Sequence, residues 1–130
     1  MKASLTFLSL ILSIVFFSCE KSETTRSTPL TGKWKLFDYF HGIGIGGPLI
    51  YKQADPENQI FLELKNDGSL SYTNTNYASF SVKDSNIVTF IDNNKGRSNF
   101  RYSVKGDTLT LSPGGSMCIE GCGQRFLKVE

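Results

Sequence analysis

From residue 30 onward the chain alternates short stretches in which every second position is apolar with polar, turn-forming clusters. No stretch repeats its apolar residues at helical spacing. Gly32 to Phe40 opens the series. It puts Trp34, Leu36 and Phe40 on one parity and Phe37 and Tyr39 on the other, the pattern of a strand that touches apolar surface on both sides. Ile60, Leu62 and Leu64 then alternate with Phe61 and Glu63, and Asn66, Asp67 and Gly68 supply a tight turn into Leu70 to Thr73. Tyr77 to Lys83 sets Ala78, Phe80 and Val82 against Ser79 and Ser81. Asp84, Ser85 and Asn86 turn the chain into Ile87 to Ile91, and residues 92–96 turn it again. Phe100, Tyr102 and Val104 alternate with Arg101, Ser103 and Lys105, Leu109 and Leu111 follow Gly106 and Asp107, and Gln124 to Val129 closes the series. The pattern predicts about eight strands and an all-β, antiparallel domain over residues 30–130. That domain is an up-and-down barrel or, as the alternative, a sandwich; closure removes exposed edges and favours the barrel.

Two stretches break the rhythm. Residues 42–58, with Gly42, Gly44, Gly46, Gly47 and Pro48 early and Asp55, Pro56, Glu57 and Asn58 late, read as one long irregular connection. Ser112 to Gly123, rich in glycine, holds Cys118 and Cys122.

The first residues follow another logic. Lys2 precedes a largely apolar run from Leu5 to Phe17, after which Ser18 and Cys19 lead into Glu20, Lys21, Ser22 and Glu23. Thirteen helical residues rise only about 20 Å, short of a roughly 30 Å hydrocarbon core, so the run predicts a secretory signal over residues 1–18 and not a span. The window Val15, Phe16, Phe17, Ser18, Cys19 resembles a bacterial lipoprotein signal, which implies cleavage before Cys19 and acylation of that residue. An ordinary secreted chain cut a few residues later is the competing reading. Residues 19–29 lack large apolar side chains and read as a flexible tether. With Cys19 acylated, Cys118 and Cys122 remain as a pair in an exported chain, and a turn through Glu120 and Gly121 allows a disulfide.

Composition narrows the function classes. The chain has 130 residues, and Lys and Arg total 14 against 12 Asp and Glu; removing residues 1–18 takes away Lys2 alone, leaving 13 against 12. That balance argues against nucleic-acid binding through bulk charge. His41 is the single histidine and no second cysteine pair exists, so no metal or other cofactor is expected. A hydrolase would need a base such as His41 oriented by a carboxylate, yet no Gly-x-Ser-x-Gly elbow occurs. Asp38, Glu63 and Asp67 offer no distinguished carboxylate pair. The run Gly42 to Gly47 lacks the Gly-Lys-Ser/Thr ending of a phosphate loop and meets Pro48 instead of a helix. A non-enzymatic protein is expected.

Leu30 to Leu36, with Gly32 and Trp34 as a Gly-x-Trp opening, resembles the start of lipocalin-like domains. Phe61 to Leu70, the Gly-Asp-Thr-Leu-Thr-Leu run ending at Leu111, and the Cys-x-x-x-Cys pair before Arg125 and Phe126 are similar to small lipocalin-like lipoproteins of Gram-negative bacteria. The resemblance implies an eight-stranded barrel around a small apolar interior, an envelope location through a lipid anchor, and no catalytic residue. It also makes Trp34 a plug closing one end of the barrel. Two readings of function follow: a carrier of a small apolar ligand that meets Tyr39, Tyr72 and Phe80 at a mouth bordered by residues 42–58, or an envelope interaction module with a filled core.

Overall fold

A computed structural model describes residues 29–115 and 118–129. The signal, Cys19 and nearly all of the tether lie outside the described residues. Nine strands form: β1 (Gly32–Gly42), β2 (Leu49–Gln53), β3 (Phe61–Leu64), β4 (Leu70–Tyr72), β5 (Tyr77–Asp84), β6 (Ile87–Asp92), β7 (Arg97–Lys105), β8 (Thr108–Pro113) and β9 (Cys122–Lys128). No α-helix occurs among the described residues. Every pairing is antiparallel, and the order β4-β3-β1-β9-β8-β7-β6-β5 runs almost full circle. The domain is therefore all-β, an up-and-down, nearly closed barrel of eight strands. Its one open seam, between β4 and β5, is crossed by a single bridge, Ser69 to Ser79, beside which the Phe80 N–H donates to the Gly68 carbonyl at 2.9 Å.

The ninth strand corrects the reading of residues 42–58 as irregular throughout. β1 is long enough to hold two partners on one edge: Gly32 to Lys35 pair with β3, and Asp38 to Gly42 pair with β2. β2 and β3 thus share one position in the barrel wall. The Gly- and Pro-rich run only makes the loop between β1 and β2, and the following Leu-Ile-Tyr is a β-prone run that returns along β1.

The register shifts at three places. A bulge in β1 between Leu36 and Asp38 sets Phe37 and Asp38 together opposite Arg125. Trp34 and Leu36 face inward before it, and Tyr39 faces inward after it, whereas Phe40 moves to the outer face. Strict alternation had put Phe40 with Trp34; the extra residue reverses that. Two irregularities fall in β5: one between Tyr77 and Ser79 brings Tyr77 into the interior with Phe80, and one between Val82 and Asp84 lies at the turn into β6, where Val82 is half exposed.

The core is continuous. Trp34, Leu62, Val88, Phe90, Leu109 and Phe126 are fully buried, with Leu36, Leu64, Leu70 and Leu111 nearly so. Trp34 closes one end, where its Nε1–H donates to the Leu30 carbonyl at 2.9 Å and Lys128 Nζ lies 5.4 Å from the ring centroid. The indole is thus both apolar filling and a satisfied donor, as a buried Trp requires. Toward the other end rings replace aliphatics: Phe90 and Phe100 at 4.8 Å, Tyr77 and Phe90 at 5.5 Å, Tyr72 and Phe126 at 6.1 Å.

Candidate functional site

The end away from Trp34 carries the candidate site, built by the upper halves of β1, β8 and β9. Tyr39 and Gln124 are register partners on the inner face, His41 stands opposite Cys122, and Leu111 stands opposite Gln124. With Phe100, Pro113 and Gly123 they line a cavity of about 380 Å³. An ordered space of that size is at the small end of ligand-binding cavities. Below it Tyr72 donates to Gln124 Oε1 at 2.7 Å, and Tyr77 donates to Ser98 Oγ at 2.8 Å. Burial pushes the Tyr72 phenol up to about 12; the bond to Gln124 pulls the other way, and the neighbouring Tyr39 and Tyr77 add to the rise. At neutral pH the Tyr72 phenol is a hydrogen-bond donor, not a base.

The rim is held locally. Cys118 and Cys122 form a disulfide across a four-residue separation, with Cα atoms 5.8 Å apart, and the Gly42 N–H donates to the Gly121 carbonyl at 2.6 Å. Gly42 has no substitute here, because a Cβ would stand 1.7 Å from the Glu120 carbonyl oxygen. The disulfide-closed turn therefore packs directly on the β1 terminus.

Of the residues expected to meet a ligand, Tyr39 lines the cavity. Tyr72 reaches it at one remove, through Gln124. Phe80 lies elsewhere: it lines a groove of about 490 Å³ at the Trp34 end, with Leu30, Val82, Tyr102 and Val104. Phe80 precedes the β5–β6 turn at that end, and no parity argument could have shown it. His41 belongs to β1 and is exposed at the rim. Gln124, the polar centre of the site, was not singled out in the sequence; its position beside Arg125 in the closing strand was the only signal.

The outer wall holds the one ion pair with a buried carboxylate among the described residues. Arg125 Nε donates to Asp38 Oδ1 at 2.8 Å and Nη2 donates to Oδ2, so the pair is bidentate. The guanidinium lies 4.3 Å from the Tyr51 ring centroid and 4.8 Å from that of Phe37. Asp38 holds the Arg125 pKa above its ordinary value. The two hydrogen bonds and the Phe37 and Tyr51 rings beside the guanidinium make the pair a clasp joining β1, β2 and β9. Among the described residues no group of three His, Cys, Asp or Glu side chains could hold a metal, and no helix is long and apolar enough to cross a membrane. Compared with known proteins, the chain matches no family model, no curated protein and no solved structure.

Proposed function

We propose that the protein is a lipocalin-like lipoprotein of the bacterial envelope, anchored through Cys19, whose barrel mouth holds a small apolar ligand. The observation that carries this reading is the cavity between Tyr39, Phe100, Leu111 and Gln124, apolar in its walls and offering an amide and a phenol at its floor. A few fixed polar groups in an apolar recess give a small molecule orientation as well as burial. Native mass spectrometry of protein purified from its own envelope should show a bound lipid-sized or smaller apolar mass. An apolar fluorescent probe should bind the purified protein, with Tyr39→Ala weakening it about tenfold, equivalent to about 1.4 kcal/mol. If neither a bound mass nor probe binding is found, the second reading takes its place.

That second reading, an envelope interaction module without a ligand, is favoured by the part of the barrel below the cavity. There Trp34, Leu62, Leu64, Val88, Leu109 and Phe126 leave no open interior, as expected when eight strands enclose only their own side chains.

A further inference from the structure

We propose that the loop joining β1 to β2, together with Ile119 beside it, docks on a lipid bilayer, and that this is the bilayer carrying the Cys19 anchor; the second half rests on the lipoprotein reading above. Ile45 is 86% exposed, Ile119 74% and Ile43 56%, while Leu49, Ile50 and Tyr51 are each exposed by two fifths or more. Single exposed apolar residues need no explanation. Here six of the nine large apolar side chains exposed among the described residues gather at one end of the molecule. Contiguous exposed patches mark surfaces that meet a partner.

The patch is built, not frayed. The Ile43 N–H donates to the Pro48 carbonyl at 3.2 Å and the Gly47 N–H to the Gly44 carbonyl at 3.1 Å, which fixes the loop. Leu49 Cδ2 comes within 3.4 Å of the Cβ position at Gly121, so the hairpin and the disulfide-closed turn bearing Ile119 form one surface.

Three observations identify the occupant as a bilayer. First, charge: no acidic residue falls between Asp38 and Asp55, where Lys52 is the one Lys or Arg, and Glu120 is the one acid in the neighbouring turn. Second, layering: Ile43 and Ile45 form the tip, and Tyr51 and Lys52 stand behind it, the residue types that settle at headgroup level. The outer edge of β2 has no strand partner among the described residues, so its N–H and C=O groups must stay in water or among headgroups, and penetration stops at the isoleucines. A second copy added along that edge would cover Leu49 to Gln53, but would leave Ile45 and Ile119, the most exposed, off the shared strand. Third, reach: the chain enters at the Trp34 end, opposite the tip. From Cys19 to Pro29 about ten residues span at most roughly 35 Å. β1, with 11 residues, is about as long. The anchor can therefore pass alongside the barrel and let the tip meet the same membrane, with the cavity mouth turned toward it.

The test uses the full acylated chain in phosphatidylcholine vesicles containing brominated acyl chains, with Trp introduced singly as Ile45→Trp at the tip or Ser85→Trp in the β5–β6 turn at the tether end. The emission added over the wild-type chain should be quenched several-fold more for Ile45→Trp. Quenching of Ser85→Trp alone would mean that the barrel stands upright on its tether, and would overturn the proposal, as would absence of quenching at both positions. Loss of Ile45→Trp quenching at high chain density, with crosslinked pairs, would assign the patch to a second copy and overturn it equally. The anchor is read separately from the lipid mass on Cys19. A lipidated chain that floats with vesicles but shows no tip quenching removes the docking and leaves the anchor. Tip quenching that persists in Cys19→Ser keeps the docking and shows that it does not depend on the anchor.

Discussion

The two ends of the barrel are made of different chemistry. The end where the chain enters is shut by Trp34, Leu30, Leu64 and Leu109, and outside them lies a polar depression lined by Lys33, Lys65 and Lys128 with Glu63. The opposite end is roofed by phenols and an amide, keeps an open cavity, and projects an apolar hairpin beyond it. A barrel of eight strands has just enough interior for its own side chains. One end spends that interior on stability, and the other leaves some of it vacant. The contrast teaches that stability and recognition are separated along the barrel axis, so substitutions at the two ends should differ in kind as well as in size.

The largest effect belongs to the closed end. Trp34 is fully buried, and its Nε1–H donates to the Leu30 carbonyl. Trp34→Ala should cost about 3 to 5 kcal/mol in denaturant unfolding. Against the usual 5 to 15 kcal/mol of a domain this is a large fraction. A loss below about 1 kcal/mol would show that the closed end is not where the stability resides, and the comparison would collapse.

The closed end was also the more legible one. Leu62, Leu64, Leu70 and Leu109 fall on alternating positions, and Asp67 closes its turn by accepting from the Ser69 N–H at 2.8 Å, so pattern and turn chemistry agree there. At the mouth they part. The bulge after Leu36 moves Tyr39 inward and Phe40 outward, and nothing local in Leu-Phe-Asp-Tyr announces it, because the extra residue is set by pairing with β9 some 87 positions away. The same distance hid the Asp38–Arg125 clasp. β2 was obscured by the glycines before it, although Leu49 to Tyr51 carried a strand signal of their own.

A middle-sized effect lies at the boundary between the two ends. Tyr72 has its pKa raised from 10.0 to about 12, chiefly by burial, so the folded state holds the phenolic proton more tightly than the unfolded chain. The sign follows: the stabilisation is complete below pH 10 and is lost as pH rises toward 12, because the unfolded state ionises first. Two pH units correspond to about 2 to 3 kcal/mol. Unfolding free energy measured from pH 9 to 12 should fall by about that amount in the wild type, and Tyr72→Phe should flatten the slope. An unchanged slope in Tyr72→Phe would place the alkaline transition on other tyrosines and make the cavity floor wetter than its hydrogen bonds imply.

The smallest effect belongs to the projecting hairpin, and its smallness is the point. Ile43 and Ile45 bury little against the rest of the protein, and a Cβ at Gly44 or Gly46 would meet no atom within 4 Å. Replacing both isoleucines with Ser should therefore change the unfolding free energy by no more than about 0.5 kcal/mol, the range of surface substitutions that break no cap, ladder or buried contact. A neutral result would mean that these side chains have no part in holding the fold, which leaves the hairpin to the recognising end. Thermal and urea unfolding of Ile43→Ser/Ile45→Ser against wild type decides it. A loss above about 1.5 kcal/mol would show the hairpin packed on the barrel as part of the core, and would erase the division between a stabilising end and a recognising one.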